Sequence, residues 1–214
     1  KQVENQGSIH LFSGAEVLGF EKKNWHYRTK IRHQDEEKIL DHGALILATG
    51  GKEVTPKEYL YGEDSRVITQ RQLEKMIHFD DERLKDVHSI VMIQCVGSRD
   101  QEHPYCSRIC CGHAVKNAMK LKEKNPDINI FVLYRDVRTY GFYESYYQEA
   151  RREGVIFIRY DLGNKPKVAS QDGSIQVSLF DPAMNSSVTL SADRIVLSAG
   201  IEPNDHQELA KIFD

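Results

Sequence analysis

All four cysteines of this 214-residue chain, Cys95, Cys106, Cys110 and Cys111, lie between positions 95 and 111. A disulfide framework would spread its cysteines to staple distant loops. Random core thiols would scatter through the sequence. Crowding of this kind reads as a site, and the fold must bring these positions together.

Composition narrows the classes. Hydrophobic residues make up 40% and charged residues 29%, so a core can form. The net charge of −3 argues against a general nucleic-acid or acidic-membrane surface. No apolar run approaches the roughly 20 residues that span a bilayer. The opening Lys1-Gln-Val-Glu-Asn-Gln6 has no apolar stretch of a signal peptide and no Met. The expected location is cytoplasmic, and the chain reads as a piece of something longer.

Local patterns predict an α/β organisation. Residues 8–20 read as extended, with a turn at 21–24, and Trp25–Ile31 alternates large apolar with polar residues, as in a hairpin. The run Gly43–Ala48 lacks alternation and predicts a strand buried on both faces, ending in Thr49-Gly50-Gly51. Thr69 is placed to cap a helix over 70–77. Ser89–Gln94 predicts a strand, a loop covers 96–105, and 107–124 has helical spacing. A strand at 128–134, a helix at 143–153 and a strand at 155–158 follow. Turns at Asp172-Gly173 and Asp181-Pro182 break a meander, and a buried strand at 192–198 ends in Ala199-Gly200. Strand–helix–strand order at this spacing gives a parallel sheet.

On that reading Cys106 and Cys110, four apart, share one face of a helix start, with Cys111 about a hundred degrees further round. Cys95 comes from the end of the preceding strand. Four thiolates suit an iron–sulfur cluster or tetrahedral Zn²⁺, and a helix N-terminus favours their negative charge. Adjacent Cys110 and Cys111 are awkward for a single Zn²⁺. Buried thiols and a vicinal disulfide remain as alternatives. His103 and His113 flank the motif. Lys116 offers a cation toward a cluster or flavin, or is a plain solvated lysine. Arg135 and Asp136 read most simply as a surface ion pair, and the tyrosines of 134–147 as helix packing.

Two strand endings, "ALILATGG" (44–51) and "RIVLSAGIEPN" (194–204), resemble the flanks of an inserted nucleotide-binding domain in pyridine nucleotide–disulfide oxidoreductase flavoproteins. By that resemblance Ala48, Thr49 and Gly50 pass near FAD. The family's first G-x-G-x-x-G and its late Gly-Asp motif are absent, so the FAD site is partial. The nicotinamide-type turn is replaced by the stretch from Cys95 to Cys111, in which Gly97 remains.

The stretches "MIQCVGSRD", "YCSRICCGHAVKNAMKLKEKNP" and "FVLYRDVRTYG" resemble the A-subunit of heterodisulfide reductase and its bacterial relatives, most closely from Ile90 to Tyr160. The resemblance implies an oxidoreductase whose FAD and iron–sulfur centres relay electrons. Its implied partners are other heterodisulfide reductase-like subunits, ferredoxin, and hydrogenase or dehydrogenase modules. It implies a [4Fe-4S] cluster on Cys95, Cys106, Cys110 and Cys111, with Ala48, Thr49, Gly50, Gly97 and Lys116 toward cofactor. No catalytic residue is assigned, and this chain alone is expected to be inactive. The expected fold class is α/β: a parallel-sheet, nucleotide-binding-like insert flanked by β-meander-containing parts of an incomplete FAD domain. The expected divisions are 1–84, a partial FAD-domain segment; 85–163, the α/β domain with the cysteines; and 164–214, the meander and return. The alternative is a non-catalytic scaffold that binds zinc or no metal.

Overall fold

The computed structural model describes residues 6–171 and 173–213. The opening residues 1–5 and Asp172, half of one expected turn, lie outside the described residues. The chain forms two compact units, 52–202 and the remainder on either side of it.

The flanking unit is built on an antiparallel sheet in the order β1 (Glu16–Lys23), β2 (His26–His33), β3 (Glu36–His42). Phe20 of β1 stacks on Tyr27 and packs against Phe213 of its closing helix (Gln207–Phe213). The predicted hairpin is present, but its first strand begins at Glu16 rather than near residue 8. The run 44–50 is not a strand. No strand lies beside it among the described residues, so its backbone has no ladder to join, and Ile46 is 86% exposed.

The 52–202 unit holds the core. β4 (Gly51–Glu53) leads to β5 (Val67–Thr69) and α1 (Gln70–His78). Thr69 caps α1 as predicted: its hydroxyl accepts from the Gln72 N–H, and the Gln72 side chain accepts from the Thr69 N–H. Next come β6 (Ser89–Val96), α2 (Cys110–Lys124), β7 (Asn129–Tyr134), α3 (Tyr143–Arg152) and β8 (Ile156–Arg159). A meander of β9 (Lys167–Gln171), β10 (Ser174–Asp181) and β11 (Ser186–Ala192) precedes β12 (Arg194–Ala199) and the short β13 (Ile201–Pro203).

The five-stranded sheet has the order β5-β12-β6-β7-β8, and every neighbouring pair is parallel. It draws in β5 and β12 from outside 85–163. Alternate side chains of β6 go to opposite faces. Ile90 and Met92 join Leu73 of α1, Val115 and Ala118 of α2 and Ala150 of α3. Val91 and Ile93 join Ile175, Val177 and Leu179 of the meander. Three layers result: helices, parallel sheet, antiparallel sheet. The fold is an α/β nucleotide-binding-like one.

From β6 the chain winds outward through β7 to β8, then returns as β12 on the other flank of β6. Strand order therefore reverses between β6 and β12. In open α/β sheets the crevice outside the strand ends at such a reversal is where ligands bind.

Candidate metal centre

The four cysteines sit at that reversal. Cys95 lies near the C-terminal end of β6, where β6 spends four residues, Ile93 to Val96, against three of β12, Leu197 to Ala199. This bulge places Cys95 in the left-handed region, φ 62°. A bulge re-aims the side chain it carries. Gly97, Arg99 and Arg108 are also left-handed. For non-glycine residues such backbone costs on the order of 1–3 kcal/mol each, and it concentrates at functional sites.

The helix begins later than the spacing suggests. Arg108, at φ 64°, breaks the predicted first turn, and α2 starts at Cys110. Cys106 is therefore a loop residue, and the expected shared helical face with Cys110 is not formed. The loop is held from afar instead. The Ser107 hydroxyl accepts from the Ile201 N–H at 2.8 Å, and the Cys110 thiol donates to the Ala199 carbonyl at 3.5 Å.

Each sulfur has a neighbour. The Arg108 N–H donates to Cys106 Sγ at 3.4 Å, and the Cys111 thiol donates to the Asp136 carbonyl at 3.7 Å. Arg99 Nη1 lies 3.9 Å from Cys95 Sγ. All four thiols are free and half-buried. Burial pushes Cys95 and Cys111 up, and Cys110 up to about 12, with neighbouring sulfurs adding to the rise. The sulfurs thus feel one another's charge, although among the described residues no three His, Cys, Asp or Glu groups close to metal-holding distance.

In donor chemistry, though not in the spacing of the sulfurs here, four cysteines suit a thiolate-bound metal group. Because burial disfavours the thiolate at Cys95, Cys110 and Cys111, these three would ionise only with a cation bound among them. The N-terminus of α2 has no side-chain cap and no acidic residue in its first turn, which leaves its positive end toward the sulfurs. Arg99, Arg135 and Arg138 supply further positive charge: Arg135 lowers the Cys95 pKa, and Cys106 is the largest influence holding Arg138 charged.

No family model matches the chain. The iron–sulfur A-subunit of the CoB–CoM heterodisulfide reductase of Methanocaldococcus jannaschii is 38% identical over 198 residues, 83% of this chain and 30% of that protein. The A-subunit of the H2/formate:CoB-CoM heterodisulfide, ferredoxin reductase of Methanococcus maripaludis is 38% identical over 191 residues, 80% of this chain and 28% of that protein. Over the matched stretch the chain belongs to the family of heterodisulfide reductase A-subunits. It spans about 30% of the length of these relatives. Among solved structures, DfoA bound to FAD, a cadaverine monooxygenase from Erwinia amylovora, superposes with a TM-score of 0.51 at 11% identity. That match covers 98% of this chain and 56% of DfoA, and it bears on the fold alone.

The remaining candidate residues are dispersed. Ala48, Thr49 and Gly50 form an exposed turn in the flanking unit, with the Thr49 hydroxyl 3.1 Å from His206 Nε2. The stretch leads into β4 rather than into a helix N-terminus. Gly97 packs at the strand end, where an added Cβ would meet Val54 Cγ1 at 3.3 Å. Lys116 is ion-paired with Glu74, which also contacts His113 at 2.8 Å. His103 stacks edge-on against Tyr105.

Two readings change. Arg135 and Asp136 are not a pair: Asp136 binds Arg99 at 2.7 Å and lies 3.6 Å from Arg138, while Arg135 donates to the Arg99 carbonyl. Among the tyrosines, Tyr134 and Tyr147 pack on Phe157, but Tyr140, Tyr143 and Tyr146 are exposed. These three border a cavity of about 800 Å³ with Lys116 and Arg138. Sequence reasoning misses Arg99 and Arg138. The signal that could have found them is the density of arginines around the cysteines and just after β7.

Proposed function

We propose that this chain is the electron-transfer segment of an iron–sulfur flavoprotein like the A-subunit of heterodisulfide reductase. Cys95, Cys106, Cys110 and Cys111 would hold a [4Fe-4S] cluster, which when bound supplies one-electron transfer. The observation that carries this reading is four free thiols at the β6–β12 reversal, beside an uncapped helix N-terminus. In a nicotinamide domain that place belongs to the dinucleotide pyrophosphate.

This chain's own residues hold and insulate the centre. The bulge aims Cys95, the Ser107–Ile201 bond fixes the loop bearing Cys106, and α2 presents Cys110 and Cys111. The full-length protein would be an oxidoreductase that carries FAD and passes electrons among partner subunits, ferredoxin, and hydrogenase or dehydrogenase modules. Four free thiols also fit a reducing cytoplasmic compartment.

The test is iron, sulfide and visible absorption on the anaerobically prepared chain, beside Cys106→Ala. Iron and sulfide with broad visible absorption in the parent, strongly reduced in the variant with its far-UV circular dichroism retained, are expected. A colourless zinc protein, or unchanged iron in Cys106→Ala, overturns the assignment.

A further inference from the structure

Arg99 is held in place before it reaches any sulfur. Its backbone is left-handed at φ 58°, its N–H donates to the Tyr105 carbonyl at 3.0 Å, and its own carbonyl accepts from Arg135 Nη1 at 3.0 Å. A residue pinned on both sides of a strained conformation has few directions left for its side chain. The guanidinium forks: Nη1 faces Cys95 Sγ at 3.9 Å, and Nη2 donates to Asp136 Oδ2 at 2.7 Å. The Arg99 side chain is only 18% exposed, so water screens it weakly.

Asp136 has a second connection. Its backbone carbonyl accepts from the Cys111 thiol, and its carboxylate also faces Arg138 at 3.6 Å. One aspartate on the loop after β7 therefore meets Cys111 directly and Cys95 through Arg99. Ordinary surface pairs contribute little and are interchangeable. This pair is unlike them because one of its members also faces a sulfur.

We propose that the Arg99–Asp136 pair sets the reduction potential of the centre: Arg99 places positive charge against the Cys95 sulfur, and Asp136 holds the guanidinium there while moderating its charge. The proposal rests on the cluster assignment above. Reduction adds one electron to a centre already negative from its thiolates. A cation beside a ligand sulfur stabilises the reduced form, and a carboxylate opposes it. The two residues should therefore act with opposite sign, which a merely structural contact would not do.

The experiment is a redox titration of the iron-loaded 214-residue chain with dithionite and mediators, followed by visible absorbance and by electron paramagnetic resonance of the reduced form. Iron content is measured on every sample. Arg99→Gln should lower the midpoint, with the ratio of reduced to oxidised centre at fixed poise falling about tenfold, equivalent to about 59 mV for one electron. Asp136→Asn should raise the midpoint, and Arg99→Lys should stay nearer the parent than Arg99→Gln does. Equal midpoints, or shifts of the same sign in Arg99→Gln and Asp136→Asn, overturn this inference and leave the cluster standing. An iron-free parent chain overturns both.

Discussion

Gly200 packs its bare Cα against the Gly97 carbonyl, so closely that a Cβ built on Gly200 would collide with that oxygen. The same Cβ would fall 3.2 Å from the Gly97 carbonyl carbon and from Ser98 Cβ. This contact lets the ends of β6 and β12 meet beside the cysteines. Gly200→Ala should force the two strand ends apart and destabilise the chain by about 2 kcal/mol. Thermal melting should show a fall of roughly 4–8 °C. Gly112→Ala, where a Cβ meets nothing within 4 Å, should stay within about 1 kcal/mol of the parent. Equal melting of the parent and Gly200→Ala would refute the tight approach.

Tyr160 supports the residue that precedes the strained cysteine. Its hydroxyl donates to the Gln94 carbonyl at 2.6 Å, and the phenol is buried. Burial raises its pKa well above the ordinary tyrosine range, which keeps the proton on the donor. Tyr160→Phe should cost about 1–2 kcal/mol by leaving that carbonyl without its donor. In urea the midpoint should move down with the slope unchanged. A midpoint equal to the parent's would show that the bond contributes nothing.

Much of the 52–202 unit is legible in the sequence because its signals are local. The β-branched run of β6, the capping pair Thr69 and Gln72, and the glycine stop after α3 each act within a few residues. The run 44–50 misleads because apolar content reports what a segment would bury, not whether a neighbouring strand is there to pair with it. The start of α2 misleads for a different reason. Arg108 is left-handed in a loop whose Ser107 is bound to Ile201, a residue 94 positions away. Arg99 and Asp136 likewise meet only because β6 and β7 are adjacent in the sheet. The positions of the four cysteines are plain, and Cys95 near a strand end and Cys110 and Cys111 at a helix start follow the spacing, whereas Cys106 lies in the loop before that helix. The charged groups around them are not.

Acid should reveal a separate support. Asp64 accepts from Arg66 at 2.7 Å, and the same guanidinium reaches the Ser170 hydroxyl and the Gly173 carbonyl, tying β5 to the meander. Hydrogen bonding to Arg66 lowers the Asp64 pKa to about 2, against about 3.9 when unfolded. Between those values the unfolded chain binds more protons. The contribution is therefore complete above about pH 4 and is lost as pH falls toward 2. Asp64→Asn should melt below the parent at pH 6, with the gap closing toward pH 2. A gap that stays constant with pH would refute this account.

Flavin binding by this chain should be weak. Ala48, Thr49 and Gly50 form an exposed turn without a helix N-terminus behind it to receive a pyrophosphate. Calorimetric titration of the 214-residue chain with FAD should show no saturation at micromolar ligand. Tight stoichiometric binding would mean that a pyrophosphate site exists here in some other form.

The Val54 N–H donates to the Gly200 carbonyl at 2.8 Å, so the segment that begins at Lys52 ends beside its own start. A segment whose two ends meet behaves as a cassette: a host chain can accept it within a loop without stretching. Its two ends pair as β4 and β13, in a two-stranded sheet separate from the five-stranded one that carries Cys95. Lengthening either junction should therefore leave the interior of the cassette intact, its strands, helices and buried core unchanged.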